Sequence, residues 1–337
     1  MRRFMMAVLA VMLVTFGSPA LVHACAGLIG SNGAVNLGRT TTLAAYHDGV
    51  EHYVTSFEFL GGGGEFGTLI PLPGVPSNVE RGGAWTLQRL VLETEPQPAF
   101  LSAAGAAREA EDAEVLLEVR IDALDVTVLK GGAESVAAWA IEHGFRLSPD
   151  APEVLDFYAQ RSPIFLAAIF DGDAALERGQ AVGDGTPVHV TIPTTNPWVP
   201  LRILGLGKQA DDRVEADVYL LTDRRPSLLP APKDGMALTY DEPASSGLLD
   251  DLRSDDGMAW VPQSAWLTKL NIDASAADLS YDLAVDASGQ NQPSRLAAGL
   301  EIATADSNAT LEWALGGVAA TMLGFGVFVG AVTRKRS

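Results

Sequence analysis

His47, Glu51 and His52 are the closest this chain comes to a set of metal ligands or acid–base groups. Asp48-Gly49 supplies a tight turn between the two histidines, so they meet only across a hairpin. On extended chain an offset of five residues puts them on opposite faces, and no His-Glu-x-x-His helix is present. The spacing therefore predicts two half-exposed strand histidines rather than a zinc site. His143 ends a predicted helix, where a cation is favoured without any further role, and His189 reads as a sheet residue. Asp171-Gly172-Asp173 and the cluster Asp250, Asp251, Asp255 and Asp256 offer oxygen ligands for calcium, the one cofactor these residues suggest. Neither stretch forms the Asp-x-Asp/Asn-x-Asp/Asn-Gly loop with a well-placed Glu.

Nucleophilic chemistry is poorly served. There is no Gly-x-Ser-x-Gly elbow, and the only cysteine, Cys25, falls at a processing site. Carboxylates are too numerous to single out a general acid and base. Gly61 to Gly64 is followed by Glu65-Phe66-Gly67 and not by Gly-Lys-Ser/Thr, so it reads as a hairpin connection rather than a phosphate loop. No catalytic residue is nominated. The leading expectation is a non-enzymatic binding or envelope-structural domain. The alternatives are a calcium-stabilised adhesion-like module and an unrecognised hydrolase acting on envelope material.

The elements that would position these groups are mostly strands. Thr40 to Tyr46 is β-prone, and Val50 to Leu60 continues past the turn with Tyr53, Thr55, Phe57 and Phe59 on one half-buried face. Gly61 to Gly64 is expected to turn the chain and Phe66 to Leu72 to return it. Ile70-Pro71-Leu72-Pro73-Gly74-Val75-Pro76 is a rigid exit, loosely echoed by Ile192-Pro193-Thr194-Thr195-Asn196-Pro197-Trp198-Val199-Pro200. Val115 to Leu129 alternates as a strand would. Ala133 to His143 and the segment opened by Ser148-Pro149-Asp150 have helical spacing. Ile164 to Phe170, Val188 to Ile192, Leu201 to Leu206 and Val214 to Thr222 read as strands, as do Trp266 to Ile272 and Leu279 to Val285. Arg224 to Met258 reads as loop. The order predicts an α+β fold, mainly antiparallel β with a short helical insertion near residues 133–160.

Both ends predict export. Arg2-Arg3, the apolar run Met5 to Phe16 and Gly17-Ser18-Pro19 have the layout of a cleaved signal over residues 1–24, with cleavage after Ala24 or Ala26. Lipidation of Cys25 is the alternative anchor. Trp313 to Thr333 is uncharged and ends in Arg334-Lys335-Arg336. About 20 residues at ~1.5 Å rise give roughly 30 Å, enough for one membrane span with the basic tail (334–337) cytoplasmic. Gly316, Ala320 and Gly324 at four-residue spacing suit close approach of two such helices, hence a homodimer. Between the ends lie an extracytoplasmic domain at 25–285 and a Ser/Gly/Asn/Gln-rich stalk at 286–310.

Arg2, Arg3, Arg334, Lys335 and Arg336 are five of the 23 basic residues, whereas all 42 acids lie between them, so the intervening chain carries 18 basic residues against 42 acidic, a net charge of −24. A field of that sign excludes nucleic acid as a partner and favours cations or basic surfaces. With 47% apolar residues the chain can bury a substantial core, and a single cysteine excludes an intrachain disulfide framework.

Phe59-x-Gly61, Phe66 and Ile70-Pro71-Leu72-Pro73-Gly74-Val75-Pro76 resemble the signature of an exported bacterial family, domain of unknown function 2330. Trp139 to Leu147, Val199-Pro200-Leu201-Arg202-Ile203 and Val218-Tyr219-Leu220-Leu221-Thr222-Asp223 are similar as well. Members begin with Cys-Gly-Gly after the signal; here the start is Cys25-Ala26-Gly27, and the later cysteine is missing. The resemblance spans roughly Cys25 to Val285 and implies export, often with a C-terminal span. It brings no activity, substrate or catalytic residue.

Overall fold

The computed structural model describes residues 27–30, 33–34, 40–58, 65–94, 118–180 and 185–301. The signal segment with Ala24, Cys25 and Ala26, the Gly61 to Gly64 connection, and the apolar stretch containing Trp313, Gly316, Ala320 and Gly324 lie outside those residues, as does the Arg334-Lys335-Arg336 tail. Among the described residues no helix is long and apolar enough to cross a membrane.

The chain opens with β1 (Gly27–Gly30) and β2 (Gly33–Ala34), then the hairpin of β3 (Thr40–His47) and β4 (Val50–Glu58). Asp48 and Gly49 take φ of 49° and 80°, the left-handed pair that a two-residue hairpin turn requires. Next come β5 (Glu65–Pro71), β6 (Asn78–Arg81) and α1 (Thr86–Thr94). A second hairpin, β7 (Glu118–Ile121) and β8 (Leu124–Lys130), leads into α2 (Ala133–Glu142) and α3 (Ala151–Ala159). β9 (Ile164–Asp171), α4 (Gly172–Glu177), β10 (Gly185–Pro193) and β11 (Trp198–Val199) follow. The last third holds β12 (Arg213–Thr222), β13 (Ser227–Leu229), β14 (Met236–Pro243), α5 (Ser246–Ser254), β15 (Trp266–Ser275) and β16 (Leu283–Asp286).

Two large sheets carry the architecture. One runs β14-β15-β12-β3-β4-β10-β6, the other β2-β1-β5-β9-β8-β7, and a small sheet joins β11, β16 and β13. Every pairing is antiparallel except β3 with β12. The main core lies between the large sheets, with Tyr53, Ile70, Leu166, Val190, Leu220 and Leu270 all buried. α1 and α5 cover the outer face of the first sheet through Leu87, Leu90, Leu248 and Leu252. α2 and α3 cover the outer face of the second through Trp139, Leu155 and Tyr158. The result is a helix–sheet–sheet–helix sandwich, an α+β fold built mainly of antiparallel strands.

This layering explains where sequence patterns mislead. β4 was expected to bury one face only; Tyr53 and Val54 are both buried, because each face meets a different layer. The chain does not fold back from β4 onto β5, which belong to different sheets. Of the stretch Val115 to Leu129, the described residues from Glu118 on are not one strand but the β7–β8 hairpin, turned at Asp122-Ala123. Leu201 to Leu206 is no strand either: Arg202–Gly205 is a 3-10 turn, since the amides of Leu201 and Arg202 bond to the Asp282 side chain instead of a neighbouring strand. Arg224 to Met258, read as loop, contains β13, β14 and α5. The signal for α5 was present, with Ser245 capping it by accepting from Leu248 N at 3.1 Å. The expected stalk does not begin at Asp286: the chain through 301 packs on the second core with Ala297 and Ala298 buried, and Ala298 O accepts from Asp282 N.

Candidate functional site

His52 and His189 come together on the outer face of the first sheet, 137 residues apart in sequence. β4 and β10 pair so that Thr191 stands opposite His52 and His189 opposite Val54; β6 then places Glu80 opposite His189. His189 Nδ1 lies 3.2 Å from Glu80 Oε1, and His189 Nε2 lies 2.9 Å from His52 Nδ1. A carboxylate accepts, so His189 Nδ1 donates to Glu80, and its Nε2 accepts from His52 Nδ1–H. His52 Nε2 is left with its lone pair, and no described residue bonds to it. Trp260 covers the pair, with its ring 3.9 Å from that of His52 and 4° from parallel.

The histidine rings are edge to edge. Their centroids lie 5.1 Å apart, close to the sum of the 2.9 Å contact and the two ring radii, so the facing nitrogens point along one line. Two ligands opposed in line need roughly 4 Å between them to share a zinc ion at about 2.0–2.1 Å from each. The geometry is a hydrogen-bonded relay, Glu80–His189–His52, and not a chelate. Burial holds both imidazoles down to about pKa 4; for His52 the charges of His189 and His47 add to this and Glu80 opposes it. Both rings are therefore neutral at pH 7. A base whose folded pKa is depressed loses stability as pH falls, here from about 6.5 to about 4. His189→Gln is expected to flatten this acid limb of a urea-denaturation series between pH 7 and 4. An unaltered limb would mean other groups set it.

His47 does not join this pair. Its Nδ1 lies 2.5 Å from Asp223 Oδ1 and its Nε2 3.3 Å from Asp48, at the far end of the β3–β4 hairpin. His143 Nδ1 bonds to Trp139 O at 2.8 Å, at the end of α2. The six acidic candidates for calcium fall in two groups, one at the start of α4 and one along and just after α5, and four of the six are engaged. Asp171 caps α4 by accepting from Ala174 N at 2.9 Å and faces Arg120 at 3.4 Å, while Asp173 sits exposed in the first turn of α4. Asp250 pairs with Arg253 and Asp251 with Arg89; Asp256 is exposed. Asp255 is buried and accepts from Ala84 N, Trp85 N, Thr86 Oγ1 and Asp256 N at 2.9–3.1 Å, anchoring the start of α1 from the far end of α5. Among the described residues no three His, Cys, Asp or Glu side chains are grouped to hold a metal ion. Asp255→Ala is expected to cost about 2–4 kcal/mol, because four donors lose a charged acceptor together. A change below about 0.5 kcal/mol in urea denaturation would show that solvent replaces it at no cost.

A cleft of ≈ 540 Å³ opens where the β3–β4 turn, the β5 exit, the β10–β11 connection and residues 294–297 meet. The two proline-rich stretches that echo each other in sequence flank it: Pro73 and Pro193 both line it, and Pro193 O lies 3.0 Å from where a Cβ on Gly74 would stand. Thr194, Thr195 and Asn196 form one wall, Trp198 and Arg161 another. Each nitrogen of the Arg161 guanidinium makes one hydrogen bond. The group donates to Asp282 Oδ2 at 2.5 Å, to Ala297 O at 2.5 Å and to Phe157 O at 3.2 Å, and it lies over the rings of Phe157 and Trp198. Behind this wall stands Glu51, on the inner face of β4 opposite Tyr46 and Ile192. It is 1% exposed, and neither carboxyl oxygen has a hydrogen-bond partner among the described residues. Burial pushes its pKa up to about 8; the nearby Trp198 amide opposes this without closing a bond of normal geometry.

Sequence reading named Glu51 only as a neighbour of two histidines, and it passed over His189, Glu80, Trp260 and Arg161 as site residues. The histidine relay depends on strand register, which local pattern does not reveal.

By fold the molecule is an α+β sandwich of two mainly antiparallel sheets with helices outside. No family model matches the chain, and no curated protein matches it. Among solved structures it is similar to baculovirus P35, with a TM-score of 0.41 at 10% identity over 75% of this chain and 98% of that one. A mutated baculovirus P35 after caspase cleavage gives 0.40 at 8% identity, covering 75% and 98%, and the caspase-8/P35 complex gives 0.35 at 9%, covering 74% and 91%. Likeness at this level carries no conclusion about origin or role.

Proposed function

We propose that this chain is a single-pass, membrane-tethered extracytoplasmic protein whose folded part binds a ligand or envelope partner without transforming it. The observation that carries the binding reading is the cleft at the seam of four chain segments, with proline-stiffened rims and its Arg161 guanidinium already paired with a buried carboxylate. Rigid rims suit recognition, because little conformational freedom is lost on binding. The relay of Glu80, His189 and His52, with the Thr191 hydroxyl 3.4 Å from His189 Nε2, lies outside the cleft lining, which favours binding over turnover in the cleft. Export is supported by the charge-free stretch Trp313 to Thr333 with its basic tail and by the resemblance to domain of unknown function 2330.

The test has two arms. Protease added to cells lacking an outer barrier should degrade the folded part of a C-terminally tagged chain and leave a short tagged fragment in the membrane fraction. Intact product in the cytosol would overturn the topology. Thr195→Trp, which fills the exposed wall of the cleft, should abolish crosslinking to envelope partners while leaving the melting temperature unchanged. Undiminished crosslinking would place recognition elsewhere.

A further inference from the structure

Glu51 is the one described carboxyl group with both oxygens buried and without a hydrogen-bond partner among the described residues. The other buried acids are satisfied at least in part: Asp282 by Arg161 and Tyr158, Asp255 by four donors, Asp122 by Arg81. An unpaired carboxyl in a core is a liability that Leu at the same position would remove. Its surroundings suggest what it is held for. Gly49 is two residues away along the chain, Pro193 follows its cross-strand partner Ile192, and the Trp198 amide lies close enough to favour the charged carboxylate. Gly49, Pro193 and Trp198 all line the cleft. Glu51 does not itself line the cleft; beside it the Thr194 N–H donates to Gly49 O at 3.1 Å and the Tyr46 hydroxyl donates to Thr194 O at 2.9 Å.

We propose that Glu51 is the inner end of the cleft's binding site and that the site recognises a primary ammonium group, carried by a lysine-like side chain or an ethanolamine headgroup. This rests on the reading of the cleft as a binding site. Charge complementarity favours the assignment. Among the described lining residues the one cation, Arg161, is neutralised by Asp282 and the rest are uncharged, while the chain as a whole is strongly acidic. An ammonium offers three donors to a carboxylate that can accept several and closes no bond of normal geometry among the described residues. A ligand of this size enters by displacing Thr194 from its two bonds. Because the empty site keeps its proton at neutral pH, binding exchanges it: the carboxyl proton leaves to solvent and the ammonium takes its place against the carboxylate. Affinity is then expected to rise about tenfold per pH unit between pH 6 and 8 and to level off above that.

The experiment is calorimetric titration of the full-length chain in mild detergent at pH 6, 7, 8 and 9. The probes are Nα-acetyl-lysine methylamide and O-phosphoethanolamine, with Nα-acetyl-norleucine methylamide as the uncharged control. The proposal expects one or both ammonium probes to bind with the stated pH slope and with proton release, at least tenfold tighter than the control, and to lose that advantage in Glu51→Gln. The stronger probe tells a peptide ligand from a lipid one. Glu51→Gln keeps the shape of the side chain, and the pH slope of the unaltered protein tests the same point without any variant. Equal binding of the control, blocked by Thr195→Trp, would overturn the role of Glu51 and keep the cleft. No binding of any probe together with undiminished partner crosslinking in Thr195→Trp would overturn both.

Discussion

Glu51→Gln is expected to stabilise the folded chain by about 4–5 kcal/mol at pH 8 and to leave it nearly unchanged at pH 4. The magnitude follows from linkage. An ordinary glutamate has a pKa of 4.5, and burial raises that of Glu51 to about 8. Between those values the unfolded chain releases a proton that the folded chain keeps. Each pH unit in that window therefore costs about 1.4 kcal/mol of stability, a loss that is complete once the folded carboxyl also ionises. Glutamine has no proton to lose and escapes the whole penalty. Urea denaturation of both proteins at pH 4, 6 and 8 checks this. A gain of the same size at every pH would point to improved packing, and no gain at pH 8 would mean that the carboxyl is already paired in solution.

Glu51 and the histidine relay set opposite limbs of one stability profile. The two imidazoles lose stability as pH falls below about 6.5, whereas Glu51 loses it as pH rises above about 4.5. Where the windows overlap, two histidines weigh against one carboxyl, so stability still rises with pH there. Above 6.5, of these three groups only Glu51 acts, and its contribution falls. The maximum is expected near pH 6.5, and Glu51→Gln should turn its alkaline side into a plateau. At the proposed ammonium site the same substitution removes the preference for an ammonium over the uncharged control, so stability is given up to keep an ionisable receptor in the core.

What could be read from the sequence was whatever depends on neighbours along the chain. Asp48-Gly49 announces its turn, Ile164 to Phe170 its buried strand, and Val136, Trp139 and Ala140 their helix face, because turn chemistry and periodicity are local. Sheet membership is not local. Nothing near Gly61 says that β4 and β5 part into different sheets, and nothing near Tyr53 and Val54 says that a helix layer covers one face while a second sheet covers the other. The candidate site falls almost wholly in this second class. His52 meets His189 only because β4 pairs with β10 in one register, and Asp255 reaches Thr86 across 169 residues. A single sequence records such pairings as unremarkable histidines and acids. The serine-, glycine- and asparagine-rich run after Asp286 misled for a related reason: polar composition suggests a free linker, but the buried pair Ala297 and Ala298 and the carbonyl that Arg161 needs are hidden within it.

Asp282→Asn is the other substitution with a large expected effect, a loss of about 3–5 kcal/mol. Asp282 is fully buried and joins four parts of the fold. Its Oδ1 accepts from Tyr158 OH at 2.9 Å, Leu201 N at 2.7 Å and Arg202 N at 3.0 Å, and its Oδ2 accepts from Arg161 Nη2. Tyr158 OH in turn accepts from Ile203 N at 2.8 Å, so α3, the 3-10 turn, β16 and the terminal segment are held by one connected network. Asparagine keeps the shape and one acceptor oxygen, but turns an amide donor toward a guanidinium that also only donates. Arg161, 4% exposed, is then a buried cation without a counter-charge, and that uncompensated charge is the main source of the loss. Arg161→Met should cost a comparable amount by stranding the carboxylate. The double variant should be clearly less destabilised than the sum, with a coupling of 2 kcal/mol or more in a double-mutant cycle. Simple additivity would show that the two residues act through separate packing contacts. Because Arg161 forms a wall of the cleft, Asp282→Asn should also weaken whatever the cleft binds, and the double variant should not restore binding as it restores stability. That divergence would separate what the pair does for the fold from what it does for the cleft.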